Sequence, residues 1–423
     1  MPLKPLQDDP WRPLDFTKSE IRVIELSPAQ SPLDSIMCQL RTVSLLDQPE
    51  YEALSYVWGG SSGNRHILLN GKQSPVTDSL FEALAQLRDA QSTRTLWVDA
   101  VCINQKYDIE KNIQVMMMDR IYAQASKVLV WLLSSETPEL SDDVTSINQN
   151  QERHFTQFPM SMLELSKISW WHRAWTFQEA ALAKNLIFHT GRTYFTLEDL
   201  EGYLYAAGPA NGMPPNELVS AYVIVQELLS SRRIISQGKK NLLDLIVNNR
   251  GRVATKVQDK VYAYLGLAYD VPTNLVRYEL SLREWTLHIS TRIIQHNESL
   301  KIIHYASHSV FPRVNNCRME GLPSWCPDWT QSTERSFSIQ AQERDKHLHY
   351  RRFSASSHTK ANPNFPTPEI LGVSGVVCDT VTHGATVPTY TEQEPMPELY
   401  GNGVISLPIT PQFIKQDVMD ATN

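Results

Sequence analysis

Short apolar runs alternate with amphipathic stretches over the first half of the chain, and that alternation predicts most of its elements. Ile21–Leu26 and Met37–Leu45 mix apolar with polar positions in the manner of half-buried strands. Leu54–Trp58 is a short apolar strand ending at Gly59-Gly60. Ile67–Leu69 followed by Asn70-Gly71 predicts a hairpin, because Asn-Gly favours the positive φ angles of a tight turn. A helix from Thr77-Asp78 to Arg88 carries Leu80, Ala83, Leu84 and Leu87 on one face. Leu96–Ile103 is a nearly continuous apolar run broken by Asp99, the pattern of a buried central strand. Asp108 can cap the next helix, over 109–124, with Ile109, Ile113, Met116, Met117 and Ile121 on its inner face. Val128–Leu133 is a further buried strand. Strand, helix, strand, helix, strand in this order implies a parallel sheet with right-handed crossovers.

Beyond it, residues 134–158 are polar and acidic without periodicity and are expected to form an inserted loop. A helix over 161–183, a strand at Leu186–His189 and a turn at Gly191 follow. Residues 196–296 are mainly helical in pattern, 331–368 are polar, and Ile370–Val381 has a strand pattern. The expected organisation is therefore an N-terminal arm with strands (1–50), an α/β domain (51–195), a mainly helical accessory region (196–330), a linker-like segment (331–368) and a C-terminal strand with a Pro-rich tail (369–423).

Composition narrows the function classes. A chain of 423 residues with a net charge of -7 has room for two or three domains and lacks the overall basic balance of a general nucleic-acid binder. Arg232-Arg233 and Lys239-Lys240 are read as a solvated helix face. Cys38, Cys102, Cys317, Cys326 and Cys378 are widely spaced without a C-x-x-C pair, which suggests neither disulfides nor zinc and fits a reducing compartment. Pro2, Pro5 and Pro10 stand where a signal peptide needs an apolar run, and no apolar run reaches the roughly 18 residues of a membrane span, so a cytoplasmic protein is expected. His304-x3-His308 and His347-x-His349 have ligand spacing but no supporting carboxylate or thiol cluster, so no metal site is expected.

The densest chemistry lies at residues 170–180, where Trp170, Trp171, Arg173, Trp175 and Glu179 fall close together. On one continuous helix Trp171, Trp175 and Glu179 share a face at i, i+4 and i+8. A carboxylate beside aromatic planes suits a pocket for a flat cationic ring or a sugar; the competing reading is core tryptophans with a structurally paired glutamate. Residues expected at carboxyl ends of strands are Tyr56, Trp58 and Gly59, then Asn104 and Gln105; they either line a pocket or pack as loops. Asp99, inside an apolar strand, needs a buried donor, for which Arg173 is one candidate.

Three blocks in order, Tyr51-Glu-Ala-Leu-Ser-Tyr-Val-Trp-Gly-Gly60, Leu96-Trp-Val-Asp-Ala-Val-Cys-Ile-Asn-Gln105 and Arg173-Ala-Trp-Thr-Phe-Gln-Glu179, resemble the signature blocks of the fungal HET (heterokaryon incompatibility) domain. Looser echoes follow at Asp259–Ala268, Leu322–Trp329 and Leu371–Asp379. The resemblance implies a flavodoxin/TIR-like α/β fold, a mostly parallel sheet flanked by helices, followed here by a mainly helical region with some C-terminal strands. It also implies a role in non-self recognition and programmed cell death. The W-x-x-x-E spacing of Trp175 and Glu179 is similar to that of NAD-cleaving TIR members, which makes Glu179 the candidate catalytic residue. Tyr56, Trp58, Gly59, Asp99, Asn104, Gln105, Arg173 and Trp175 become candidate ligand-binding residues. No prosthetic group is implied; NAD+ would be a substrate. The alternative is a non-enzymatic module acting by self-association or by binding an unknown protein trigger.

Overall fold

The computed structural model describes residues 11–31, 34–59, 65–132, 161–191, 193–207, 216–306, 319–331 and 360–373. The chain divides into two compact units, residues 1–270 and 271–423. The expected loop 134–158 lies outside the described residues, as do most of the linker-like segment and the tail.

The first unit is built on one nine-stranded sheet. Its strands are β1 (Glu20–Leu26), β2 (Met37–Ser44), β3 (Glu52–Tyr56), β4 (Arg65–Leu69), β5 (Lys72–Val76), β6 (Arg94–Trp97), β7 (Val128–Trp131), β8 (Leu186–Thr190) and β9 (Thr193–Thr196). Their order is β5-β4-β2-β1-β6-β3-β7-β8-β9. The central strands β6, β3, β7 and β8 are mutually parallel, as the alternating apolar pattern implies. Every residue of β7 is buried, which is why its sequence reads as an unbroken apolar run. The N-terminal strands extend this sheet, because β1 pairs antiparallel with both β2 and β6. At the β4–β5 turn Asn70 and Gly71 both have positive φ, 51° and 78°, as a tight hairpin of this sequence needs. The edge strand β5 carries Lys72 and Pro75, which discourage pairing with another chain.

From β3 the chain crosses through β4, β5 and α1 (Asp78–Leu87) to β6 on one side. It returns through α2 (Asp99–Cys102), α3 (Asp108–Met116) and α4 (Met118–Gln124) to β7 on the other side of β3. From β7 it reaches β8 through α5 (Met162–Lys167) and α6 (Ala174–Leu182). Connections leave the neighbouring parallel strands β3 and β7 in opposite directions, and the region beyond their carboxyl ends is the usual ligand position in such sheets. Helix α1 buries Leu80, Ala83, Leu84 and Leu87 as expected and is capped by Thr77, which accepts from the Leu80 N–H.

Three expectations are corrected. Strand β6 stops at Trp97, and Asp99 opens the short helix α2 rather than lying inside a strand. The helix expected over 109–124 is broken at Met117 into α3 and α4. Helix α3 is also rotated from the expected face: Glu110 and Gln114 are 3% and 0% exposed, Ile109 and Met116 are 58% and 49% exposed, and of its expected inner residues only Ile113 packs against the core. The buried polar pair has a reason. Glu110 forms a bidentate ion pair with buried Arg22, at 2.5 and 3.0 Å, and Gln114 donates to the Glu20 carbonyl at 3.1 Å. Met117, at the break, and Ile121, in α4, do face inward.

The first unit continues through α7 (Leu197–Ala207), α8 (Asn216–Ile235), α9 (Leu242–Asn248) and α10 (Asp259–Tyr262), matching the mainly helical pattern. Arg232, expected on a solvated face, is half-buried and donates to the Ala180 and Ala183 carbonyls, closing the C-terminal end of α6. The second unit holds α11 (Leu282–Asn297), begun by a Ser281–Glu284 capping box, and a two-stranded ladder of β10 (Asn364–Thr367) and β11 (Ile370–Gly372). Trp329 donates to Ser290 of α11 at 3.0 Å, which places the Leu322–Trp329 block in that unit's core.

Candidate functional site

The site forms around a break in the 170–180 stretch. Trp170 and Trp171 lie in a 3-10 turn, Ser169–His172, and Arg173 is extended, with φ −80° and ψ 146°. A segment some 80 residues away causes this: Val253 donates to the His172 carbonyl at 2.7 Å and accepts from the Ala174 N–H at 2.9 Å, a parallel bridge no helix could make. Arg252 reinforces it, donating to the Trp171 carbonyl at 2.5 Å and lying 4.6 Å over the Phe177 ring. Trp171 therefore shares no helical face with Trp175 and Glu179. Trp170 and Trp171 are core residues, packed edge to face with each other at 4.9 Å and against Phe188.

Helix α6 then carries Glu179 beneath β3. Its carboxyl accepts from the Ser55 hydroxyl, and Ser55 in turn accepts from the Trp170 indole N–H at 2.8 Å. Tyr122 of α4 also reaches Glu179 and donates to the Leu54 carbonyl at 3.2 Å. Glu179 is only 5% exposed. Burial pushes its pKa up to about 8, against the Ser55 hydrogen bond that lowers it; the charge of Asp99 raises it further, while Arg173 and Tyr122 oppose. At neutral pH the group is mainly a neutral carboxylic acid.

Asp99 is half-buried beyond the end of β6. It accepts from the Trp58 indole N–H at 2.9 Å and from the Ala100 N–H at 2.7 Å. Burial raises its pKa to about 6, held there against the Trp58 bond, the Ala100 N–H and the charge of Arg173. The donor expected for Asp99 is thus the Trp58 indole together with the Ala100 N–H, and Arg173 acts on it through charge alone. Tyr56 lies close enough to Asp99, Glu179 and Arg173 to sense all three charges, and its buried hydroxyl has no hydrogen-bond partner.

Tyr56, Trp58, Asp99, Arg173 and Glu179 are accordingly brought together from the three separated blocks. Gln105 holds the backbone, donating to the Asp99 carbonyl at 2.9 Å. Asn104 donates its backbone N–H to Glu110 at 2.8 Å, and Arg22 donates to the Cys102 carbonyl at 3.1 Å, so the buried ion pair anchors the loop that carries Asp99. Gly59 is exposed, with φ +72°, and Trp175 is half-buried against the core. Ser55, Trp170 and Tyr122 were not anticipated. The signal available for Ser55 was a small hydroxyl side chain among the buried positions of β3. Among the described residues no group of three His, Cys, Asp or Glu side chains could hold a metal ion, and no helix is long and apolar enough to cross a membrane.

The family model described as "Heterokaryon incompatibility protein (HET)" matches residues 51–179, from the start of β3 to the buried glutamate of α6. The chain carries a HET domain. The HET match thus spans the central parallel strands β3, β6 and β7 together with all five clustered residues. A curated relative, heterokaryon incompatibility protein 6, OR allele, of Neurospora crassa, is 24% identical over 460 residues, covering 87% of this chain. The chain spans 65% of the length of that relative. No solved structure matches it.

Proposed function

We propose that this protein acts in heterokaryon incompatibility, as an effector of non-self recognition that triggers programmed cell death, and that its HET domain does so by cleaving NAD+. One observation carries the enzymatic reading: five residues from three distant blocks converge at the carboxyl ends of β3 and β6, with two carboxyl groups whose pKa values are pushed up to about 8 and about 6. The W-x-x-x-E spacing of Trp175 and Glu179, which resembles that of NAD-cleaving TIR proteins, agrees with it. In the reaction the bond between ribose C1′ and the nicotinamide nitrogen breaks, its electron pair leaves on the nicotinamide, and the cationic ring departs neutral. Water then adds to the oxocarbenium-like ribose and releases a proton, so no general acid is required for the leaving group.

The chain's own residues have distinct parts in this scheme. Asp99 supplies negative charge at neutral pH, held in place by Trp58, Ala100 and Gln105. Glu179, fixed by Ser55, ionises when the cationic ring approaches, because a nearby positive charge favours the carboxylate. Trp58, Asp99 and Arg173, all half-buried, are the side solvent reaches. Incubation of the purified chain with NAD+ and measurement of released nicotinamide is the test; the absence of turnover by well-folded protein at pH 7–9 sinks the enzymatic reading.

The rotated helix α3 favours a second reading, a module that signals by self-association. Tyr107, Ile109 and Met116 are exposed together while Glu110 and Gln114 are buried, and an apolar helix face left in water suits contact with a second copy of the chain.

A further inference from the structure

Arg173 differs from the other buried or half-buried arginines of the first unit. Arg22 is paired with Glu110, Arg94 with Glu52, Arg120 with Ser19, Arg232 with two carbonyls of α6 and its C-cap, and Arg252 with the Trp171 carbonyl and Glu227. Arg173 is half-buried, yet among the described residues its guanidinium makes no hydrogen bond and no ion pair. A guanidinium has five N–H donors in a fixed fork, and placing it in a partly dry site without a partner is costly.

Its surroundings do not use those donors. The Asp99 carboxylate is held by the Trp58 and Ala100 N–H groups, and the Glu179 carboxyl by Ser55. The Tyr56 hydroxyl, on a residue 5% exposed, is a second donor without a partner in the same cluster. Two idle donors, one of them a planar cation, lie near the carboxyl ends of β3 and β6, where doubly wound sheets receive ligands. A phosphate matches the fork bidentately and has oxygens left for a hydroxyl. We propose that Arg173, with the Tyr56 hydroxyl as second donor, is the receptor for a phosphate of the ligand, so that the site takes a phosphorylated nucleotide rather than a neutral nucleoside. This rests on the ligand site argued under the proposed function, and it holds whether or not the ligand is cleaved.

The test is calorimetric titration of the full chain with ADP-ribose, inorganic pyrophosphate and adenosine, using wild type, Arg173→Gln, Arg173→Lys and Tyr56→Phe. Wild type should bind both phosphorylated probes and adenosine more weakly than either. Arg173→Gln should weaken ADP-ribose and pyrophosphate about tenfold or more with a nearly unchanged Tm, since no hydrogen bond or ion pair to the described residues is lost. Arg173→Lys, a point charge without the fork, should fall between, and Tyr56→Phe should weaken both several-fold. The inference is overturned by Arg173→Gln binding like wild type, by a marked loss of Tm in that variant, or by a wild type that binds neither phosphorylated probe. Failure of the cleavage reading looks different: ADP-ribose binds through Arg173 but NAD+ releases no nicotinamide. Turnover of NAD+ with an unchanged KM in Arg173→Gln removes the receptor and leaves the cleavage reading standing.

Discussion

Replacing Glu179 with Gln should change the pH dependence of stability more than stability itself. The carboxyl is raised from its ordinary 4.5 to about 8, chiefly by burial. Between those values the folded protein keeps a proton that the unfolded chain has released. Stability is therefore fully present below pH 4.5 and is lost as pH rises toward 8 and beyond. At about 1.4 kcal/mol per pH unit, the loss by pH 9 is on the order of 5 kcal/mol. Gln cannot ionise, and it keeps an acceptor for Ser55 and a donor toward Tyr122, whose hydroxyl can accept it. The variant should match wild type within about 1 kcal/mol near pH 5 and exceed it by several kcal/mol at pH 9. Asp99, raised to about 6, adds a loss of the same sign from pH 3.8 upward. His189, lowered to about 4 by burial and then by Arg94, acts oppositely, costing stability as pH falls from 6.5. Both largely cancel when the variant is compared with wild type at each pH. Urea unfolding of the two proteins from pH 5 to 9 reads the difference directly. Parallel curves would refute the assignment of Glu179 as a buried neutral acid.

Other perturbations test separate parts of the site. If Glu179 must ionise for turnover, kcat/KM for NAD+ should rise with pH toward a plateau above about 8; a flat profile between 6 and 9 contradicts that requirement. Arg22→Met or Glu110→Gln alone should cost about 3–5 kcal/mol, because each leaves a buried charge without its partner, whereas the pair Arg22→Met with Glu110→Leu should recover much of it in the same unfolding assay. Gly266→Ala should cost about 1–3 kcal/mol in thermal unfolding, since a Cβ there would lie 2.2 Å from the Asp119 Cβ. Ile109→Glu should leave Tm unchanged and abolish any concentration-dependent sedimentation; association that survives it moves the contact away from α3.

The sheet was legible because its central strands are buried on both faces. Val128–Leu133 is apolar without interruption and Leu54–Trp58 is broken only by Ser55, the pattern of parallel core strands covered by helices. Helix α1 and the Asn70-Gly71 hairpin were legible for equally local reasons: a 3.6-residue period, a threonine cap and a turn dipeptide. What escaped was set at long range. The rotation of α3 depends on Arg22, 88 residues before Glu110, and the break at Arg173 depends on Val253. Periodicity sees neither partner. The convergence of Tyr56, Trp58, Asp99, Arg173 and Glu179 was anticipated only as far as strand ends imply it. The Ser55–Trp170 relay behind Glu179 needed coordinates, because a serine in a strand and a tryptophan in a turn carry no shared pattern.

The break at Arg173 also decides what the two charged members of the third block can do. On a continuous helix Arg173 and Glu179 would stand about 9 Å apart along the axis and about 120° apart around it. With Arg173 extended and bridged to Val253, the helix begins after it, and the two side chains meet different environments. Glu179, in the helix, lies against β3 and loses its charge to burial. Arg173, at the start, is half-buried, and among the described residues its guanidinium makes no hydrogen bond or ion pair while its charge acts on Asp99 and Glu179. Arg252 holds this division from the far side through Trp171 and Phe177. The strap of Arg252 and Val253 therefore sets a depth in the site, with a cationic group outside and a neutral acid inside. A ligand that is anionic at one end and cationic at the other would meet them in that order.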